Sequence, residues 1–248
     1  MLTPIPRNAR HPLAPLFEGF PGLRGVIHAV LEGAMGEAWA DDPQHPNVAR
    51  LKLDFEAIAG DPSHPAAPEA IRSLAQGDHL VVPESWAGVL MDTWDDLQPY
   101  ERTEFSPGAW TIAELRARQT LPDGLSLVRI DATNVGAFED LDDAFVYNSD
   151  SPEDYLARGV GFGVWDGAEF IAGCSSYAIS SRSLEFEIET AEAHQRRGLA
   201  IVTGSRMLQH CLETGLEPCW DAAHEGSARL ALKLGFVNPR PYTAYRLE

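Results

Sequence analysis

Polar and apolar positions along this chain follow two alternating rhythms, and the rhythm is clearest in the second half. Leu184–Thr190 reads L-E-F-E-I-E-T, an unbroken period of two that predicts a half-buried strand. Leu199–Thr214 carries apolar residues at helical spacing and is stopped by Gly215. Leu125–Ile130 alternates as a strand, and Phe162–Trp165 with Phe170–Tyr177 flank Asp166-Gly167, a hairpin turn. Asn148–Asp154 opens a helix, with Ser151 or Asp150 as the cap and Pro152 at its first position. Pro218–Ala222 is a short strand, Ser227–Leu234 a helix stopped by Gly235, and Tyr242–Leu247 a terminal strand. With a further helix ending near Glu139–Asp143, the predicted order is β-α-α-β-β-β-α-β-α-β.

The first half is less regular. Residues 1–24 hold five prolines and predict an extended arm lying on the surface. Gly25–Ala40 shows two apolar runs parted by Gly33 and Gly36, which predicts a hairpin. Ala49–Ile58 alternates as one strand, Gly60–Pro68 is a loop, and Glu69–Gln76 a helix closed by Gly77. His79–Val82 and Tyr100–Phe105 read as strands, and Glu84–Trp94 and Ile112–Gln119 as helices. The turn Leu121-Pro122-Asp123-Gly124 divides the chain into an N-terminal α/β domain, 1–120, and a second domain, 121–248.

Composition narrows the class. At 248 residues and 44% hydrophobic the chain is globular, with no apolar run near the roughly 18 residues of a membrane helix. The first 22 residues lack the apolar stretch of a secretory leader. Cys174, Cys211 and Cys219 are odd in number and form no C-x-x-C pair, so they read as reduced, buried thiols of a cytoplasmic protein. The eight histidines show no ligand spacing, so no metal site is expected.

Net charge is −18, and residues 1–184 carry most of it: 28 Asp and Glu face 12 Lys and Arg. Such a field repels phosphate backbones and anionic membranes, and it attracts cationic small molecules or peptides. Residues 185–248, with nine acids and seven bases, are where an anionic ligand binds at least electrostatic cost.

In that segment Gln195-Arg196-Arg197-Gly198-Leu199-Ala200 follows a strand and opens a helix. Unsatisfied N–H groups and the helix dipole at such a terminus favour an anion. Gly198 lets a diphosphate approach the backbone, and Arg196 and Arg197 add mobile positive charge. Spacing alone leaves open an ordinary strand-to-helix turn with two solvated arginines.

Q-R-R-G-L-A resembles the Q/R-x-x-G-x-G/A signature of the GNAT acyltransferase superfamily. Trp220–Phe236, a strand and then a helix ending in K-L-G-F, is similar to the same family's second motif. The segment G-L-E-P-C-W-D (Gly215–Asp221) is close to an uncharacterised bacterial subgroup. The resemblance runs from about residue 125 to the C-terminus. It implies the family's mixed α/β sheet in the C-terminal half and an acyl-CoA-dependent N-acyltransferase. The donor would be acetyl-CoA or another acyl-CoA, and the acceptor an amine of a small molecule or peptide. By the same resemblance the donor is held by Ile188 and Thr190 of the strand, by Gln195, Arg196, Arg197, Gly198, Leu199 and Ala200, and by His224 and Ser227 of the following strand-helix unit.

Two positions depart from the family pattern. Ala231 stands where many members carry a tyrosine that protonates the leaving thiolate, and His224 stands where many carry an asparagine. Ser227, Tyr242, Tyr245 or water are the substitutes for the tyrosine. Ala231 also keeps a second function open, a non-catalytic acyl-CoA-binding or regulatory protein.

Glu185, Glu187 and Glu189 share one face of the strand, with Phe186, Ile188 and Thr190 on the other. Glu189 and then Glu187 are the candidates for general base; the alternative is a solvated acidic face. Asp140–Asp143 is the next acidic cluster. The first half also repeats the second faintly: Val26–Ala40, Ala49–Ile58 and His79 onward answer Phe162, Leu184 and Pro218 at offsets of roughly 136, 132 and 138. It is thus either a degenerate copy without a phosphate loop or an unrelated α/β cap. The expected partners exclude nucleic acid and membrane, and the expected assembly is a monomer or homodimer.

Overall fold

The computed structural model describes residues 2–248, which divide into two compact units: residues 2–104 with 239–248, and residues 105–238. The changeover therefore precedes the expected turn at Leu121. The helix α4 (Ile112–Ala117) belongs to the second unit, because Leu115 is buried in its core beside Leu208 and Phe236. The final strand, β12 (Val237–Leu247), returns to the first unit, where Ala244 stands opposite Val81.

The first unit holds β1 (Thr3–Pro4), α1 (Arg24–Glu32), β2 (Glu37–Ala40), β3 (Val48–Lys52), β4 (Phe55–Gly60), α2 (Ala67–Arg72), β5 (His79–Val81), α3 (Ala87–Thr93) and β6 (Leu97–Ser106), whose last residues enter the second unit. Strands β2, β3 and β4 pair antiparallel, and β4 pairs β5 in parallel.

Three expectations fail here, each because tertiary packing overrides the local pattern. The N-terminal arm is not superficial: Ile5, Leu13, Phe17, Phe20 and Leu23 are buried, and Arg10 donates to the carbonyls of Val30, Met35 and Gly36. The hairpin over Gly25–Ala40 is instead the helix α1 and the strand β2, the helix burying Val26, Ile27 and Val30 and ending at Gly33 with φ +78°. The single strand Ala49–Ile58 is two, β3 and β4, reversing at Leu53-Asp54, where the Leu53 N–H bonds the Phe55 carbonyl. Both strands are buried on both faces, so period two carries no information there.

The second unit follows its pattern closely. After α4 come β7 (Ser126–Arg129), α5 (Val135–Glu139), α6 (Pro152–Arg158), β8 (Gly161–Trp165), β9 (Phe170–Ile179), β10 (Ser183–Thr190), α7 (Leu199–Thr214), β11 (Glu217–Ala222) and α8 (Glu225–Leu234). Strands β7 to β10 form an antiparallel meander, and β11 joins β10 in parallel through α7. Ser151 caps α6, its hydroxyl accepting the Asp154 N–H at 3.2 Å. The sixteen-residue α7 buries Leu199, Val202, Met207, Leu208 and Cys211. A Cβ at Gly204 would lie 2.8 Å from a Leu234 methyl, so a larger residue there would make that side chain shift. Both units thus contain three antiparallel strands followed by a parallel crossover through a helix. The earlier correspondence of Val26–Ala40 with Phe162–Tyr177 fails, because α1 occupies Val26–Glu32 where the second unit has the strand β8.

Candidate active site

Strand β10 parts from β11 midway along its length. Ser183, Leu184 and Glu185 stand in register with Glu217, Pro218 and Cys219, after which the pairing stops, although β10 continues to Thr190 and β11 to Ala222. On its other edge the register with β9 shifts between Glu185 and Phe186, leaving Tyr177 of β9 without an opposite residue. An extra residue of this kind bends and twists the ribbon. The bulge and the parting coincide at Glu185/Phe186, so the gap opens there.

Hydrogen-bonding edges alternate along a strand. The Ala191 N–H bonds the Ile171 carbonyl, so odd residues of β10 face β9. The N–H groups of Ile188 and Thr190 therefore point into the gap. The bulge sits in β9, and alternation along β10 is preserved. Phe186 and Ile188 pack with Leu208, Ala231 and Leu234 of the two helices, while Glu185, Glu187 and Glu189 take the other face.

A short loop leads from β10 to the start of α7. Gly198 adopts φ +83° and Arg196 φ +62°, the latter a left-handed conformation that costs a non-glycine residue about 1–3 kcal/mol. Among the described residues, the backbone N–H groups of Arg196, Arg197, Gly198, Leu199 and Ala200 have no hydrogen-bond acceptor. A Cβ at Gly198 meets nothing within 4 Å, so space lies open beside this residue. Five unsatisfied donors, a long helix's dipole and two exposed arginines suit a diphosphate. The Gln195 amide donates to the Thr190 carbonyl at 3.3 Å and ties this loop to the end of β10. Arg197 Nη1 lies 2.6 Å from His194 Nδ1.

The loop before α2 in the first unit has no such donors to offer. The Ser63 N–H bonds the Asp61 carboxylate, the His64 N–H the Asp61 carbonyl, the Ala66 N–H the His64 ring, and the Ala67 N–H the His64 carbonyl.

On the acidic face, Glu185 is buried, while Glu187 and Glu189 are half-buried. Glu187 Oε1 accepts the Ile188 N–H at 3.2 Å, and Glu189 Oε1 accepts the Thr190 N–H at 2.8 Å. Gly173 stands opposite Glu189, and a side chain there would strike the rings of Phe138 and Phe145, which stack 4.2 Å apart. The segment carrying these rings packs against β9 and β10. Within it, Asp142 caps the 3₁₀ turn Asp143–Phe145 by accepting the Ala144 N–H. The face of Glu187 and Glu189 is thus the one roofed by the Asp140–Asp143 segment.

Helix α8 carries the remaining candidates. His224 is its N-cap, with Nδ1 accepting the Ser227 N–H at 3.2 Å. The Ser227 hydroxyl oxygen accepts Trp220 Nε1–H at 3.1 Å, which leaves the hydroxyl proton free to donate. Ala231 is wholly buried between Leu208, Trp220 and Phe236. Tyr242 and Tyr245 lie in the first unit, Tyr242 with its ring against Gly22. Burial pushes the Cys211 thiol up to about 12 and that of Cys174 well above its ordinary value, so both stay protonated. No cluster of three metal-ligating side chains occurs among the described residues.

The β9 bulge is invisible in the sequence; its only trace is a ten-residue strand facing an eight-residue one. The Thr190 hydroxyl, buried without a partner at the end of β10, also escaped pattern reading.

A splayed parallel strand pair beside a helix terminus of free amides agrees with the sequence motifs, and the family profile for GNAT acetyltransferases matches residues 14–245. The chain belongs to the GNAT acetyltransferase family. It is an acyltransferase. The match spans both compact units. The chain is 30% identical over 234 residues to the uncharacterized N-acetyltransferase YdfB of Bacillus subtilis, covering 88% of each chain. The structure of a GCN5-related N-acetyltransferase-like protein from Streptococcus suis aligns with a TM-score of 0.82 at 26% identity, over 97% of this chain and 99% of that one. A tandem GNAT protein from the clavulanic acid biosynthesis pathway shares the fold at a TM-score of 0.60 and 11% identity, over 99% and 96% of the two chains. No helix of this GNAT acetyltransferase, among the described residues, is long and apolar enough to cross a membrane.

Proposed function

We propose that the protein transfers an acetyl group from acetyl-CoA to a cationic amine of a small molecule or peptide. The observation that carries this reading is the run of five unsatisfied amides from Arg196 to Ala200, in a loop that Gln195 ties to the end of β10. These amides and the two arginines take the donor's diphosphate. The gap-facing N–H of Ile188 or Thr190 polarises the thioester carbonyl and stabilises the oxyanion formed on attack. Glu189, or Glu187 beside it, removes a proton from the attacking ammonium. Ser227 is the hydroxyl with a proton available for the leaving thiolate, since its oxygen is already oriented by Trp220.

The acidity of residues 1–184 and the shared face of Glu187, Glu189 and the Asp140–Asp143 segment support a cationic acceptor such as a polyamine, an aminoglycoside-like compound or a peptide amine. The first unit, with the same crossover and a filled loop, is a degenerate copy. The test is release of free thiol from acetyl-CoA across a panel of amines and acyl donors. Turnover with polyamines and not with neutral or acidic amines supports the reading, and preference for an anionic amine overturns it.

A further inference from the structure

The two gap-facing N–H groups that the proposed donor needs already have acceptors, and both acceptors come from the adjacent side chain: Glu187 for Ile188 and Glu189 for Thr190. Building on the acetyl-CoA reading above, we propose that these carboxylates hold the donor's place in the free enzyme, so that donor binding displaces them and thereby frees the base.

The physical case is one of competition at a single edge. Past Glu185, β10 has no strand on the β11 side, so its inward N–H groups must find another acceptor or a water. A carboxylate is a stronger acceptor than an amide or thioester carbonyl. It is also tethered one residue away, which keeps its effective concentration high. A donor seated along β10 takes the same two N–H groups, and each bond it makes releases one carboxylate. The freed side chains remain on the face they share with the Asp140–Asp143 segment, where a cationic amine is drawn. A carboxylate folded back onto the N–H of its own strand is held away from an amine on that face, and its release lets it reach one. Proton removal is therefore switched on by the donor.

The experiment measures acetyl-CoA dissociation constants by calorimetry for the parent, Glu187→Ala, Glu189→Ala and, as a charge control, Glu192→Ala. Glu192 is exposed, lies beside the anion loop and caps no N–H of β10. The proposal expects about fivefold tighter binding in each of the first two variants and a smaller gain in the control. Amide hydrogen exchange in the free protein supplies the second measurement. Exchange at Ile188 should quicken in Glu187→Ala and at Thr190 in Glu189→Ala, and saturating acetyl-CoA should protect both amides in every variant. Equal gains in all three variants would mean simple charge repulsion and overturn the proposal, as would unchanged exchange at Ile188 and Thr190. Should Ala variants fold poorly, the Gln variants give the same contrast with smaller amplitude. Failure of the parent to bind acetyl-CoA strikes the functional reading instead, while the exchange data in the free protein still judge the carboxylate caps.

Discussion

Glu185 and Cys219 form the last parallel pair between β10 and β11, and the register of β10 with β9 slips at the very next residue. One strand thus loses regular pairing on both edges at one point. The gap that follows turns backbone donors of β10 away from any strand partner, in the stretch that leads to the anion loop.

The anion loop depends on Gly198. Gly198→Ala meets no neighbour but must adopt φ +83°, a strain of about 1 kcal/mol that lowers Tm by roughly 2–4 °C. Acetyl-CoA affinity should fall at least tenfold, about 1.4 kcal/mol, because the new Cβ stands where the diphosphate approaches. Gly215→Ala, at φ +75° and also in open space, is the matched control at the far end of the same helix. It should cost similar stability with no loss of affinity in calorimetry.

Arg196 and Arg197 are both exposed, so their attraction for phosphates is open to screening. Raising salt should weaken donor binding in the parent. The double variant Arg196→Ala and Arg197→Ala should bind more weakly at low salt and show a flatter salt dependence. An unchanged slope would remove the arginines from the site.

Glu189→Gln preserves shape and discards proton affinity. Turnover should drop by about 10²–10⁴ with donor affinity not weakened, and Glu187→Gln should cost less. Steady-state kinetics with an identified amine, paired with calorimetry, separates the two quantities. Full activity in both variants shifts proton removal to the Asp140–Asp143 segment.

Ala231 cannot simply be returned to the tyrosine of other family members. It is wholly buried against Leu208, Trp220 and Phe236, and a phenol there overpacks the core. Ala231→Tyr should cost about 2 kcal/mol or more, some 4–8 °C in Tm, without raising turnover. A faster enzyme of unchanged Tm would show that the site has room for a tyrosine.

Donor stoichiometry should be one per chain. The amides of Ser63, His64, Ala66 and Ala67 are consumed within their own loop, so the first unit offers no anion nest. Calorimetry giving two sites of similar affinity would contradict this.

In the second unit, the sequence by itself determined nearly every element. L-E-F-E-I-E-T, Q-R-R-G-L-A and the Gly215 and Gly235 stops are local signals: strand alternation, a helix N-terminus and left-handed caps are each specified within a few residues. The family was legible for the same reason, since a phosphate loop is a contiguous backbone device. The first unit was less legible. Gly25–Glu32 is helix and not strand because its apolar face is buried against its own unit, and Val48–Gly60 hides its turn because both strands are buried on both sides. Tertiary structure alone placed β12 beside β5, the bulge opposite Glu185/Phe186, and the end of the β10–β11 pairing. Each of these is a pairing between segments distant in sequence, and a residue carries no local mark of the strand it will fail to meet. The bond from Glu189 to the Thr190 N–H lies between adjacent residues, yet it too was undetermined by sequence. Only the departure of β11 leaves that N–H without a strand partner.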